Sequence, residues 1–257
     1  MGLLPSPAAP NVISPDVFRE ALNRFYPGSA TRRAGAALVI PDYAVRMAIL
    51  DFEEFPPGEA DRLALVRFRL RKTVPFHVDE AQLAYSVQVN EGGRIEVLAV
   101  AIARPILDEY EAIFTDAGYR VGLVLPSSIA ALKLCPDDAK GLTLLTKISG
   151  LTLTLVLLEK GRVRLVRCLD LAEESDSRTR DIQSLIPLLQ QTLAFAEDQI
   201  GRPVTQIVFC GFGEEMHKLG TLAESEFHIP YGQVRSKFGT LSQGNAGLLG
   251  LLEQYAA

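Results

Sequence analysis

The chain has 257 residues, 48% of them hydrophobic, enough for one large domain or two lobes with filled cores. Twenty-six Lys and Arg against 31 Asp and Glu leave a net charge of -5. That balance lacks the basic footprint a phosphate backbone attracts, so nucleic acid is not an expected partner.

Cys135, Cys168 and Cys210 stand far apart without a Cys-x-x-Cys, which argues against a disulfide framework or a zinc site and fits a reducing cytoplasm. All three read as small core residues. The opening MGLLPSPAAPNVISP has no basic n-region and is broken by prolines, so it is neither a signal peptide nor an anchor. Polar residues interrupt the apolar window Leu142 to Leu158, which makes it paired strands rather than a membrane span.

In chain order, Ser14-Pro15-Asp16 is a helix start: a capping hydroxyl, a proline whose missing N–H costs nothing there, and an acid at the positive helix end. Val17, Leu22 and Phe25 continue that helix to Pro27-Gly28. Ala37 to Ile40 and Ala44 to Phe52 are two β runs around Pro41-Asp42, expected to pair as an antiparallel hairpin. Glu59 to Lys72 is a helix with Leu63, Val66 and Leu70 on one face and a basic remainder. Gln82 to Asn90 and Arg94 to Ile102 are strands joined by a turn at Glu91-Gly92-Gly93. Pro105 to Ala117 is a helix stopped by Gly118, followed by a strand at Val121 to Leu125 and a short helix at Ser127 to Leu134.

Three strands then follow, Leu142 to Ile148, Leu151 to Leu158 and Arg162 to Cys168, linked by short turns as a meander. The charged stretch Glu173 to Arg180 leads into a long helix, Asp181 to Ile200, with Ile182, Ile186, Leu189, Leu193 and Phe195 or Ala196 facing a core. Thr205 to Cys210 is a buried strand, Gly211-Phe212-Gly213 a tight bend, Glu214 to Glu224 a helix, and Asn245 to Tyr255 a closing helix. Alternating strands and helices make the class α/β.

His77, His217 and His228 are dispersed, with no second imidazole or thiol at ligand spacing, so no metal site is expected. Glu214, Glu215 and His217 read as the acid-tolerant first turn of a helix rather than an acid–base set. No nucleophile elbow, Walker loop or dinucleotide fingerprint is present. Two turns have the glycines that let a phosphate approach the backbone: Lys147-Ile148-Ser149-Gly150 and Gly211-Phe212-Gly213.

The ordered set of elements resembles the PilM proteins of type IV pilus assembly, relatives of the cell-division protein FtsA, over about residues 12 to 254. The segments that carry it are ALVIPDYAVRMAILDFEEFP, VRFRLRKTVPFHVDEAQLAYSV, VLAVAIARPILDEYEAIFTDAGYRVGLVLPSSIAAL and QTLAFAEDQIGRPVTQIVFCGFGEEMHKLGTLAESEFHIP. The resemblance implies a two-lobed actin-like (ribonuclease H-like) α/β fold. Its first lobe would span 1–134, with an inserted subdomain at about 54–104, and its second lobe 135–257.

It further implies a cytoplasmic protein, peripheral to the inner membrane, that binds the N-terminal tail of a PilN-like membrane partner and is related to ATP-binding proteins. The family's first phosphate loop is an Asp-x-Gly hairpin. Here only LLPSPAAP precedes Val12, so that hairpin is expected to be missing, with the N-terminal segment or a neighbouring chain near the sheet edge thereby exposed. In the second loop Lys147 stands in place of the family's acid and Ser149 in place of its glycine, while Gly150, Thr152 and Thr154 keep its small, hydroxyl-rich character. At the adenosine turn Gly211 and Gly213 match and Phe212 replaces a glycine.

A vestigial nucleotide cleft made of Lys147, Ser149, Gly150, Thr152, Gly211, Phe212 and Gly213 is therefore expected, with no catalytic residue, no metal and no required cofactor. ATP and Mg²⁺ would enter only if the cleft works. For the partner the candidates are Arg46, Arg67, Arg71 and Phe76, where a basic helix meets an apolar turn; the plain alternative is a solvated helix face. Two other readings stay open: a working actin-like ATPase whose start lies upstream of Met1, and a GspL-like cytoplasmic domain of a type II secretion platform.

Overall fold

The computed structural model describes residues 2–25, 34–91, 94–136, 141–172 and 182–256. The chain divides into two compact units, Met1–Pro126 and Ser127–Ala257. The division falls ahead of the short helix at Ser127 rather than at 134/135.

In the first unit α1 (Pro15–Phe25) starts at the capping signal. Its expected end at Pro27-Gly28 lies outside the described residues. The strand β1 (Gly35–Ile40) is followed by a single 3-10 turn, Asp42–Ala44, and then by β2 (Arg46–Phe52). These two strands do not form the expected hairpin. Asp42, Ala44 and Val45 are buried, so the connection is itself part of the core and redirects the chain. As a result β1 pairs in parallel with β5 (Arg120–Pro126), and β2 pairs antiparallel with β4 (Arg94–Ala103). Composition identifies a strand, but not the strand it pairs with.

Strand β3 (Ala81–Glu91) completes a three-stranded sheet in the order β2-β4-β3. The Glu91-Gly92-Gly93 turn lies outside the described residues. Helix α2 (Glu59–Leu70) covers this sheet, with Val66 and Leu70 fully buried against Val97, Ala99 and Ala101 of β4. Those three alternate along β4, so the sheet turns one face of small residues to the helix. Helix α3 (Arg104–Asp116) buries Ile106, Leu107, Tyr110 and Ile113 and ends at Gly118, whose φ of 85° is the left-handed conformation expected there.

The N-terminal segment folds back on this unit. Leu3 bridges Val12, and both side chains pack on the core containing Leu38, Ile40 and Tyr110. Asn11, wholly buried, organises the loop: its amide donates to the carbonyls of Ser6 (2.8 Å) and Ala9 (2.7 Å), and its oxygen accepts from Ser6 N (3.1 Å) and the Tyr110 hydroxyl (2.9 Å). Burial first, and then the Glu109 carboxylate beside it, push the Tyr110 hydroxyl far above the ordinary tyrosine range.

The second unit holds α4 (Ser127–Ala131) and a five-stranded mixed sheet, β10-β9-β6-β7-β8. The expected meander is present as β6 (Leu142–Ser149), β7 (Thr152–Glu159) and β8 (Arg162–Asp170). Strand β9 (Val204–Cys210) runs parallel to β6 on its other edge. The edge strand β10 (Tyr231–Gln233) has only three residues and no alternation to betray it. The long helix is divided: a 3-10 turn at Ile182–Ser184, α5 (Leu185–Phe195) and a π turn at Ala196–Ile200. Ala196, not the exposed Phe195, faces the core. Helices α5 and α6 (Glu215–Phe227) cover one face of the sheet through Leu185, Leu189, Leu219 and Ala223. Helix α7 (Ala246–Tyr255) packs on α4 so closely that a Cβ on Gly250 would collide with the Ala130 carbonyl.

Of the three cysteines only Cys210 is buried; Cys135 and Cys168 are half-buried, so the core reading holds for one. No helix among the described residues is long and apolar enough to cross a membrane.

Two stability predictions follow from buried polar groups. Thr146 is 0% exposed, and its hydroxyl has no hydrogen-bond partner among the described residues; Thr146→Val should raise the unfolding free energy by about 1 kcal/mol in urea denaturation. Asn11→Ala should lower it by on the order of 2 kcal/mol, because it strands the groups Asn11 now satisfies, and should expose residues 2–13 to limited proteolysis.

Candidate functional site

Because β6 and β9 are parallel neighbours, their C-terminal ends lie side by side, and the two candidate turns follow directly from them. The turn between β6 and β7 contains Ser149, Gly150 and Leu151, and Gly150 has a φ of 59° with open space around it. After β9 come Gly211 (φ 86°) and Gly213 (φ 58°). The fold thus brings Lys147, Ser149, Gly150, Thr152 and Gly211-Phe212-Gly213 to one end of one sheet.

Their individual environments differ from those of a phosphate cradle. A Cβ on Gly211 would sit well inside contact distance of the Ile148 carbonyl oxygen. The glycine therefore lets the protein's own backbone approach, not a ligand. Phe212 is 3% exposed and lies in the core under α5 and α6, edge-on to Phe209 with ring centroids 5.5 Å apart. Its ring is not presented for stacking on a base. Only Gly150 and Gly213 face open space, with Ser149 and Thr152 half-buried beside the hairpin tip.

Lys147 is 2% exposed. Register places it in a row, Cys210–Lys147–Thr154–Cys168, on the sheet face opposite α5 and α6. In that row Thr154 Oγ1 lies 3.7 Å from Cys168 Sγ. The nearest carboxylate by register is Asp170, opposite Thr152; its Oδ1 already accepts from the Ala172 amide at 2.9 Å. Among the described residues no group of His, Cys, Asp or Glu is arranged to hold a metal ion. A Mg²⁺-bound triphosphate would need oxygen ligands at the metal and backbone N–H groups at the phosphates.

In the first unit the basic helix is answered from within. Arg67 donates to the carbonyls of Val78 and Ala81, tying α2 to the start of β3. Arg71 pairs with Asp79 at 2.9 and 3.1 Å, and Arg69 donates to the Asp51 carbonyl while lying over the Phe52 ring. Arg46 lies over Tyr43, 5.4 Å from the ring centre. Of the four partner candidates, Arg46, Arg67 and Arg71 thus each meet a group of the first unit itself.

Phe76 alone of them lines a groove of about 300 Å³. Its walls are Ala8, Ala9 and Pro10 of the N-terminal loop, Pro75, Phe76 and His77 of the turn after α2, and Ala103, Pro105, Ile106 and Glu109 at the start of α3. Three segments distant in sequence meet there. Only the Pro-Phe turn was a recognisable signal; the contribution of the N-terminal loop depends on the Asn11 contacts.

The glycine geometry predicts a difference in stability. Gly211→Ala should cost on the order of 2 kcal/mol or more, since it meets both the positive φ and the Ile148 carbonyl, whereas Gly150→Ala should cost only the φ penalty of about 1 kcal/mol. Thermal unfolding of the two variants measures the gap.

No protein-family model matches the sequence, and no curated protein matches it by sequence. Solved structures do match by shape. The chain is similar to a protein of the PilM–PilN type IV pilus biogenesis complex, with a TM-score of 0.76 and 18% identity, covering 100% of this chain and 89% of that one. It is similar to the cytoplasmic domain of EpsL, an inner-membrane component of the type II secretion system of Vibrio cholerae (TM-score 0.53, 14% identity, 97% and 84% covered). It is also similar to a Bacteroides thetaiotaomicron protein with an actin-like ATPase fold and unknown function (TM-score 0.53, 8% identity, 91% and 79% covered). The chain has the actin-like α/β fold.

Proposed function

We propose that this chain is a cytoplasmic adaptor of the inner-membrane platform that assembles type IV pili. It binds the extended N-terminal tail of a PilN-like membrane protein and does not turn over ATP. The observation that carries this reading is the likeness over the whole chain to a protein of the PilM–PilN complex. The groove beside Phe76 supports it: an apolar channel with prolines on three walls suits an extended segment that brings few polar groups of its own.

The burial of Lys147 and Phe212 supports the non-catalytic half of the reading. Chemistry on a triphosphate would need charged and hydrogen-bonding groups at the hairpin tip, and in this chain Lys147 is buried on its strand and the Phe212 ring lies in the core. The likeness to the EpsL cytoplasmic domain favours a second reading, the corresponding platform subunit of a type II secretion system. Both give the actin-like fold a scaffolding role beneath a membrane partner.

Fluorescence anisotropy with a labelled tail peptide from the PilN-like protein of the same genome tests the first reading. Micromolar binding is expected, weakened about ten-fold by Phe76→Ala. Titration with Mg²⁺ and ATP should give neither saturable binding nor phosphate release. Micromolar ATP affinity with turnover would replace the adaptor reading by the working ATPase, and failure of the PilN-like peptide alongside binding of a type II secretion tail would favour the second.

A further inference from the structure

The groove beside Phe76 contains one carboxylate, and the way it is held describes the occupant. Eight of the ten lining residues are Ala, Pro, Ile or Phe; the other two are His77, exposed at the rim, and Glu109, half-buried. One oxygen of Glu109, Oε2, accepts from the backbone amides of Asn11 (2.7 Å) and Val12 (2.9 Å). Its other oxygen has no partner among the described residues and is not sealed from solvent. The neighbouring cation, Arg104, is turned the other way, to Asp108 at 2.8 Å and Glu111 at 3.4 Å.

Resting on the reading of this groove as the docking site of an extended tail, we infer that the tail it selects is apolar with one cation, a Lys or Arg side chain or a free N-terminal amine, set against Glu109. A neutral apolar segment would cover the carboxylate and remove its water without returning a donor, which is unfavourable. An acidic one would be repelled. A cation completes the carboxylate with a charge-assisted hydrogen bond in a partly desolvated place. The same carboxylate holds the loop that forms the Ala8–Pro10 wall, so the cation also engages the residue that keeps the groove shaped.

The probes are labelled peptides of about eight residues made of Leu, Pro and Ala, differing only in a central Arg, Gln or Glu, and measured by anisotropy on the full chain. The Arg peptide should bind at least about ten-fold more tightly than the Gln peptide, and the Glu peptide most weakly. In Glu109→Gln the preference for Arg should fall below about two-fold, because the Arg peptide weakens while the Gln peptide, no longer covering a charge, binds at least as tightly as before. The amide carbonyl still accepts from Asn11 and Val12 there, so their hydrogen exchange should stay slow and certify that the wall is intact. Equal affinities for Arg and Gln, no binding of any of the three, or an equal loss of all three in Glu109→Gln would overturn the inference. If the PilN-like tail binds while the Arg preference is absent, the docking reading stands and the charge rule falls. Failure of that tail beside a clear Arg preference overturns the docking partner and leaves the charge rule.

Discussion

The second unit depends on the placement of β6. It is hydrogen-bonded on both edges, antiparallel to β7 and parallel to β9, and every residue from Leu142 to Ile148 is buried. A strand enclosed on four sides allows its side chains only two destinations, each a covered sheet face. Leu144 and Ile148 go to the α5/α6 face, and so does Thr146 by period; Thr143, Leu145 and Lys147 go to the other. The first point at which the chain meets solvent is the turn after Ser149. The parallel neighbour β9 emerges at that same end, so its glycine turn is pressed against the end of β6 through Gly211 and the Ile148 carbonyl.

This constraint separates what the fold dictates from what chemistry would require. Two glycine-bearing turns at one sheet end are a consequence of the pairing β6-β9 and would be there without any ligand. A ligand site would also need side chains directed outward from those turns. In this chain Lys147 is buried on the sheet face opposite α5 and α6, and Phe212 lies beneath those helices.

Most of the elements were legible because their signals are local. A proline at the first position of α1, a left-handed glycine at 118 and the turns of the β6-β7-β8 meander all act within a few residues of themselves. Pairing was not legible where it is non-local. Nothing in the composition around Pro41 states that β1 will find β5 and β2 will find β4, partners that lie far along the chain, or that the connection through Asp42, Ala44 and Val45 will be buried. The internal partners of the α2 arginines were not legible for a related reason. A basic stripe looks like a surface for partners when the carbonyls of Val78, Ala81 and Asp51 that absorb it are invisible. Of the candidate sites, the sequence pointed correctly to positive φ at Gly150, Gly211 and Gly213, but could not state that the space beside Gly211 is filled by the protein itself.

The N-terminal segment shows how these two lessons meet. Its prolines and small residues carry no periodic signal, so it reads as a tail. One buried asparagine changes that: by meeting Ser6, Ala9 and Tyr110 at once, Asn11 converts residues 6–11 into a defined loop, and the Glu109 carboxylate pins that loop's end to α3. A loop ordered by polar contacts can present its apolar outer residues as a wall, since no backbone donor there has to be satisfied by an incoming segment. The groove is thus built from polar bonds made behind it, and Glu109 takes part in those bonds with one oxygen while lining the groove itself.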